Sequence, residues 1–381
     1  MRVKQWVCVG IVVFFACAMP LTAFAGLPGE FNMDEQLEAL GREELMQQVP
    51  QETQELLNDA QVSGLSVKDL LALSPGQFFS TVWRLLLRQM QKPVRAMALT
   101  GGIILLAALL SGVGETAWKN NLAPVFQTVS VLCILTAIVT PILDCIVSTA
   151  EGIKNASLFM LGFVPMFSAA VAAAGQPVSG AGYNLFLFGT CQVVSQIVAQ
   201  TLIPLMSIYL AFCIAGAAAP QMNISSAVAT LKKAVNWSLG LLLTFFVGLL
   251  STQTMVAQGA DSAAAKTAKF LIGSFVPVVG SALSEAYTTA QGCLRLLRTS
   301  VGAYGILVAM FIFLPVLFQL LSWLMVAKVG EITADILGVK HIPGIFKSCG
   351  SVISILLAII MCYALLIIVS TTVILVTGMG L

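Results

Sequence analysis

From residue 96 to residue 376 the chain alternates between long apolar runs and short polar breaks, and the charged residues fall almost entirely in the breaks. The runs occupy 96–113, 122–149, 157–175, 183–219, 235–254, 270–284, 302–329 and 350–376. A helix needs about 20 apolar residues to cross a hydrocarbon core about 30 Å thick, so runs of this length predict membrane helices. They do not alternate apolar with polar, which excludes a transmembrane barrel. A helix also satisfies its own backbone hydrogen bonds in lipid. The expected fold is therefore all-α: a polytopic membrane protein with about six to eight membrane helices or re-entrant segments. Two runs carry Phe-Val-Pro, as Phe163-Val164-Pro165 and Phe275-Val276-Pro277, and the second of them, 270–284, is short. The 183–219 run is too long for one straight crossing and carries Pro204, and the 302–329 run carries Pro315.

The first 95 residues follow a different pattern. Met1-Arg2-Val3-Lys4 is a short basic start, Trp6 to Ala18 is apolar, and Ala23-Phe24-Ala25 fits a small-x-small cleavage site. This predicts a signal peptide over 1–25, cleaved after Ala25. Residues 26–92 then form an extracytoplasmic segment ahead of the polytopic domain, 93–381. Residues 26–75 hold ten acids against Arg42 and Lys68. Their apolar spacing predicts short helices, one closed by Pro50 and another over 52–60. Between 78 and 90 an apolar face (Phe78, Val82, Leu85, Leu86) opposes Arg84, Arg88 and Lys92. That pattern fits a helix lying in the membrane interface, and it also fits a docking helix of the small exported segment.

The prolines expose an internal duplication. Phe-Val-Pro recurs 112 residues apart, and Pro204 and Pro315 are 111 apart. Repeat-like units are expected over about 122–230 and 235–340, with a last span at 350–376. Duplicated membrane halves are common in transport proteins. Proline removes a helical hydrogen bond, so Pro165, Pro277, Pro204 and Pro315, with Phe163 and Phe275, are candidates for gates or kinks. Kinked packing helices fit the same residues. The Phe-Val-Pro segments either dip and return or cross, and lysine and arginine counts give six against five on the two sides in either arrangement.

Composition sharpens the membrane reading. Hydrophobic residues make up 58% of the chain and charged residues 9%, with a mean hydropathy of +0.96; soluble domains carry about 25% charged residues. The acidic segment repels nucleic acid or serves as a solvated or docking face. The nine cysteines show no CxxC spacing and read as small membrane-buried hydrophobes, neither a disulfide framework nor a zinc site. The single histidine, His341, lies in a loop. No Walker loop, HExxH or GxSxG occurs, so no enzyme, cofactor or metal is expected. Asp144 is the one acid well inside an apolar run and is a candidate intramembrane carboxylate, although Ser148-Thr149 puts the interface within reach. Small residues near 169–175 and 216–219 favour tight packing or a homo-oligomer.

A cleavable signal, an acidic helical segment, a basic amphipathic lead-in and the paired Phe-Val-Pro spans occur together here. With Leu231-Lys232-Lys233-Ala234-Val235-Asn236 before a clean span, this order resembles the stage III sporulation protein AE family, over essentially the whole chain. The resemblance implies a membrane subunit of a multiprotein channel or secretion-like complex in the mother-cell membrane around the forespore. It implies other membrane proteins of that complex as partners, including a separate ATPase subunit and a forespore-side membrane protein. It carries over no catalytic residues. The alternative is a self-contained secondary transporter built on the duplicated broken helices, with Asp144 in its site.

Overall fold

The computed structural model describes residues 37–38, 40–60, 62, 64–65, 75–117, 123–218, 225–275, 280–339 and 342–377. Among them there are helices and no strands. Two short helices, α1 (Arg42–Gln48) and α2 (Gln51–Asp59), precede long ones: α3 (Pro75–Ala117) and α4 (Ala123–Ala173). A rod follows, made of α5 (Pro177–Tyr183), α6 (Gly189–Ile197) and α7 (Ile203–Ala218), joined through π-helical segments at Asn184–Phe188 and Val198–Leu202. The chain ends with α8 (Ser225–Phe275), α9 (Gly280–Ile336) and α10 (Ile342–Thr377). Among the described residues, six stretches are long and apolar enough to cross a membrane: Pro75–Leu109, Thr128–Ala173, Pro177–Gly216, Ala229–Thr267, Gln291–Ile336 and Ile342–Val376.

The protein is thus an all-α polytopic membrane protein, and burial sorts its helices. The most apolar windows of α9 and α10 are 83% and 72% buried, whereas those of the other four lie between 22% and 33%. A helix apolar all round belongs in the centre of a bundle or in lipid. Here α9 and α10 take the centre, and α3, α4, the rod and α8 form the perimeter.

Glycines set the register. A Cβ on Gly305 would overlap the Phe163 ring, one on Gly302 would overlap Phe167, and one on Gly152 would sit 3.1 Å from Val316, so α4 and α9 run antiparallel at close range. Gly330 lies against Phe346 and Gly350 beside Ala327, which runs α10 antiparallel to α9. Phe78 of α3 meets Phe311 of α9, with ring centroids 5.9 Å apart. Lys232 of α8 reaches Ser351 of α10, while Asp261 of α8 reaches Val178 at the start of the rod. Within the two stretches expected as repeat-like units, α4 pairs antiparallel with the rod and α8 with α9, and both pairs run in the same sense.

The helices are longer than a bilayer needs. At 1.5 Å per residue, α9 spans about 85 Å. The runs at 122–149 and 157–175, read separately in the sequence, form the single helix α4. Glu151 and Lys154 between them are exposed, and Gly152 sits against α9, so nothing in 150–157 breaks the helix. Likewise α3 runs unbroken through Pro93, joining the amphipathic 78–90 stretch to the 96–113 run. Of the 26–92 segment, α1 and α2 pack on the bundle: Tyr304 of α9 donates to Met46 Sδ at 3.2 Å, and Thr81 of α3 donates to the Asp59 carbonyl at 3.4 Å. The predicted signal peptide, its cleavage after Ala25, Pro277 and His341 lie outside the described residues.

Candidate functional site

The turn between α4 and the rod concentrates the buried polar groups. Ala173 ends α4, and Gly175 takes φ +88°, a left-handed conformation that favours glycine. A side chain there would also overlap Gln291 of α9. Pro177 then starts the rod at the first helical position, where its missing N–H is harmless. The residue before it, Gln176, makes no side-chain cap, so the first N–H groups of the rod need an acceptor from elsewhere.

Asp261 of α8 supplies it. The residue is 3% exposed, and its two carboxylate oxygens accept from Val178 N–H at 3.0 Å and Ser179 N–H at 2.9 Å. Charge-assisted bonds of this kind are about twice as strong as neutral ones. The positive end of the rod's helix dipole faces the same carboxylate. Ser168 on α4 donates to the Gly180 carbonyl at 2.8 Å, tying the two arms of the turn together.

A second buried charge answers the opposite helix end. Arg298 of α9 is 1% exposed; its Nη1 donates to Gln176 Oε1 at 2.6 Å and its Nη2 to the Leu375 carbonyl at 3.0 Å. Leu375 lies in the last turn of α10, where carbonyls have no intrahelical partner and the dipole is negative. Among the described residues, Nε of Arg298 has no hydrogen-bond partner. An unpaired buried charge is costly. Here one negative and one positive side chain are each neutralised by a helix terminus, and together they clamp α8, α9, α10 and the turn at one end of the bundle.

An aromatic ladder leads away from this junction. Phe159, Phe163 and Phe167 stack along α4 at 5.4 Å per step, and Phe167 meets Tyr183 edge-on at 5.1 Å. Tyr183 OH lies 3.1 Å from Thr371 Oγ1 on α10. These rings fill the glycine hollows of α9, so Phe163 is a fully buried packing residue.

The sequence-predicted residues do not converge. Pro165 lies inside α4 with its side chain exposed; Phe275 is the last residue of α8. The first Phe-Val-Pro segment is thus neither a separate dip nor a separate crossing. Pro204 is exposed just after the second π segment, and Pro315 is buried within α9. The α4–α9 and α9–α10 registers, with the rod aligned on α10 through Tyr183–Thr371 and Tyr363–Cys191, set Pro165, Pro315 and Pro204 at three different heights, not in one plane. Asp144 is exposed on the perimeter, at about the height of Lys328. Sequence reasoning passed over Asp261, Arg298 and Gln176. The available signal was the uncapped helix start at Gln176-Pro177. Among the described residues no group of three His, Cys, Asp or Glu side chains is placed to hold a metal ion.

The arrangement is an anchoring device, and comparison with known proteins supplies its setting. A family model described as Stage III sporulation protein AE matches residues 61–378. The Stage III sporulation protein AE of Bacillus subtilis (strain 168) is 30% identical over 159 residues, which is 41% of this chain and 39% of that protein. The matched part thus spans about two fifths of the relative's length. No solved structure matches the chain.

Proposed function

The chain belongs to the stage III sporulation protein AE family, and on that premise we propose that it is an integral membrane subunit of a sporulation complex that connects mother cell and forespore. The complex forms a channel or secretion-like conduit in the mother-cell membrane, and the chain acts as its permease-like, non-enzymatic part. A separate ATPase subunit supplies energy, and a forespore-side membrane protein completes the passage. The exported segment, with α1 and α2 against α9, is the extracytoplasmic docking face. The observation that carries this reading is the family match over residues 61–378, which takes in the whole apolar bundle. The clamp at Asp261 and Arg298 fits a subunit whose helices must hold a fixed arrangement against partners. The transporter alternative centres on a midplane carboxylate, and Asp144 faces outward from the perimeter, which disfavours it.

The test is deletion of the gene in its spore-forming host, with heat-resistant spores counted after induction. The expected result is a fall of several orders of magnitude, restored by a plasmid copy whose tagged product co-purifies with other membrane proteins. A wild-type spore count would overturn the proposal. Solute uptake by the purified protein alone in liposomes, abolished by Asp144→Asn, would favour the transporter.

A further inference from the structure

The end of the bundle opposite the clamp carries a different chemistry. Lys232 of α8 is partly buried, and its ammonium reaches Ser351 Oγ of α10 at 3.4 Å. Lys328 of α9 lays its stem beside Gly350, with Cε 4.0 Å from where a Cβ would stand, so it borders the same serine. Lys232 and Lys328 are near enough to repel each other. Lys347 lies one helical turn before Ser351 on the same face of α10, and both it and Lys233 are exposed. Only Lys328 has a carboxylate in contact among the described residues: Glu331, at 2.7 Å. Asp335, one turn further on, is exposed. The junction of α8, α9 and α10 therefore brings the Lys232 ammonium to one serine hydroxyl, with the Lys328 stem beside it and Lys347 one turn away on the same face, and Lys328 is paired with Glu331.

Such a cluster on three separate helices repels itself unless an anion joins it. The surface next to it indicates the source of that anion. One turn along α8 from Lys233, Trp237 is 70% exposed, followed at four-residue intervals by Leu241 and Phe245, 53% and 69% exposed. An indole beside lysines, continuing into an apolar stripe, has the profile of a membrane interface with acyl chains below it. We propose that Lys232, Lys328, Lys347 and Ser351 bind a phosphate group, carried by the headgroup of an anionic phospholipid whose chains lie along Trp237, Leu241 and Phe245. Basic pockets between membrane helices are suited to such headgroups. The lipid bridges α8 to the central pair α9 and α10 at the end the polar clamp does not reach.

The full-length protein in zwitterionic detergent is titrated with dioctanoyl phosphatidylglycerol, dioctanoyl phosphatidylcholine or inorganic phosphate, and binding is read from the shift in thermal unfolding. Phosphatidylglycerol stabilises and phosphatidylcholine does not. Lys232→Gln and Lys347→Gln each weaken the phosphatidylglycerol affinity about fivefold, as expected for one lysine at a charged headgroup. Lys154→Gln, on α4 away from the junction, leaves it unchanged. Lys347 is exposed, so its variant folds even where the Lys232 variant does not. Equal stabilisation by both lipids, or wild-type affinity in the two lysine variants, would overturn the site. Inorganic phosphate matching phosphatidylglycerol at equal concentration would overturn the lipid as its source.

Discussion

Replacing Asp261 with alanine tests whether one side chain on α8 holds the α4–rod turn. In the wild type its two oxygens accept from Val178 and Ser179 at 3.0 and 2.9 Å in a setting 3% exposed. Alanine leaves the buried Ser179 N–H and the part-buried Val178 N–H without that acceptor. Each such group costs about 1–3 kcal/mol, and loss of a helix cap alone costs about 0.5–2 kcal/mol. The two descriptions overlap, because the cap is those same bonds, so the expected destabilisation is about 2–4 kcal/mol. Asp261→Asn keeps one carbonyl oxygen and the side-chain volume but loses the charge facing the helix dipole, so roughly half that loss is expected. The assay is unfolding of the purified protein in mixed micelles by increasing mole fraction of dodecyl sulfate, followed by tryptophan fluorescence. Ser262→Ala, at an exposed neighbour, is the control. An Asp261→Ala protein that unfolds within about 0.5 kcal/mol of wild type, the scatter of ordinary surface changes, would refute the anchoring argument. So would an asparagine variant as damaged as the alanine one.

Other consequences follow from the packing. Gly305→Ala forces a methyl group into the Phe163 ring and is expected to destabilise by about 1–3 kcal/mol; adding Phe163→Leu restores part of the loss, as a double-mutant cycle in the same unfolding assay shows. Arg298→Met removes the buried charge and keeps most of the volume, whereas Arg298→Ala also leaves a cavity; the methionine variant is expected to retain about 1–2 kcal/mol more stability. Pro165→Ala changes an outward-facing residue, so insertion and stability stay within about 0.5 kcal/mol of wild type. Combined with Pro277→Ala it lowers the spore count if the two bends serve a gate, and wild-type sporulation in that double variant retires the gating idea.

The membrane character and the all-α class were legible because they depend only on run length and composition. Merging was not. Glu151 and Lys154 looked like a break between two spans, yet both face outward on one continuous helix, and Gly152 beside them is the contact point with Val316. Charge marks a boundary only when the backbone also turns, and the backbone turns at Gly175, where a positive φ is required. The paired prolines were visible as a repeat, but spacing along the chain says nothing about height in the bundle, so Pro165, Pro204 and Pro315 looked like related gate elements although they lie at different heights. Asp261 and Arg298 carry no signal of their own in the sequence, because their immediate neighbours are alanine, serine, leucine and threonine. Their roles become apparent only from the groups they satisfy. The start of the rod at Gln176-Pro177 lacks a side-chain cap of its own, and the last carbonyls of α10 lack intrahelical donors. In a bundle this poor in ionisable groups, each helix end that turns inside the protein must find a partner on another helix. The buried charges are therefore best located by asking which helix ends remain unsatisfied. That question singles out the four segments joined at the clamp, and the lipid proposed at the opposite end answers the same need, since among the described residues only Lys328 of the lysines there contacts a carboxylate.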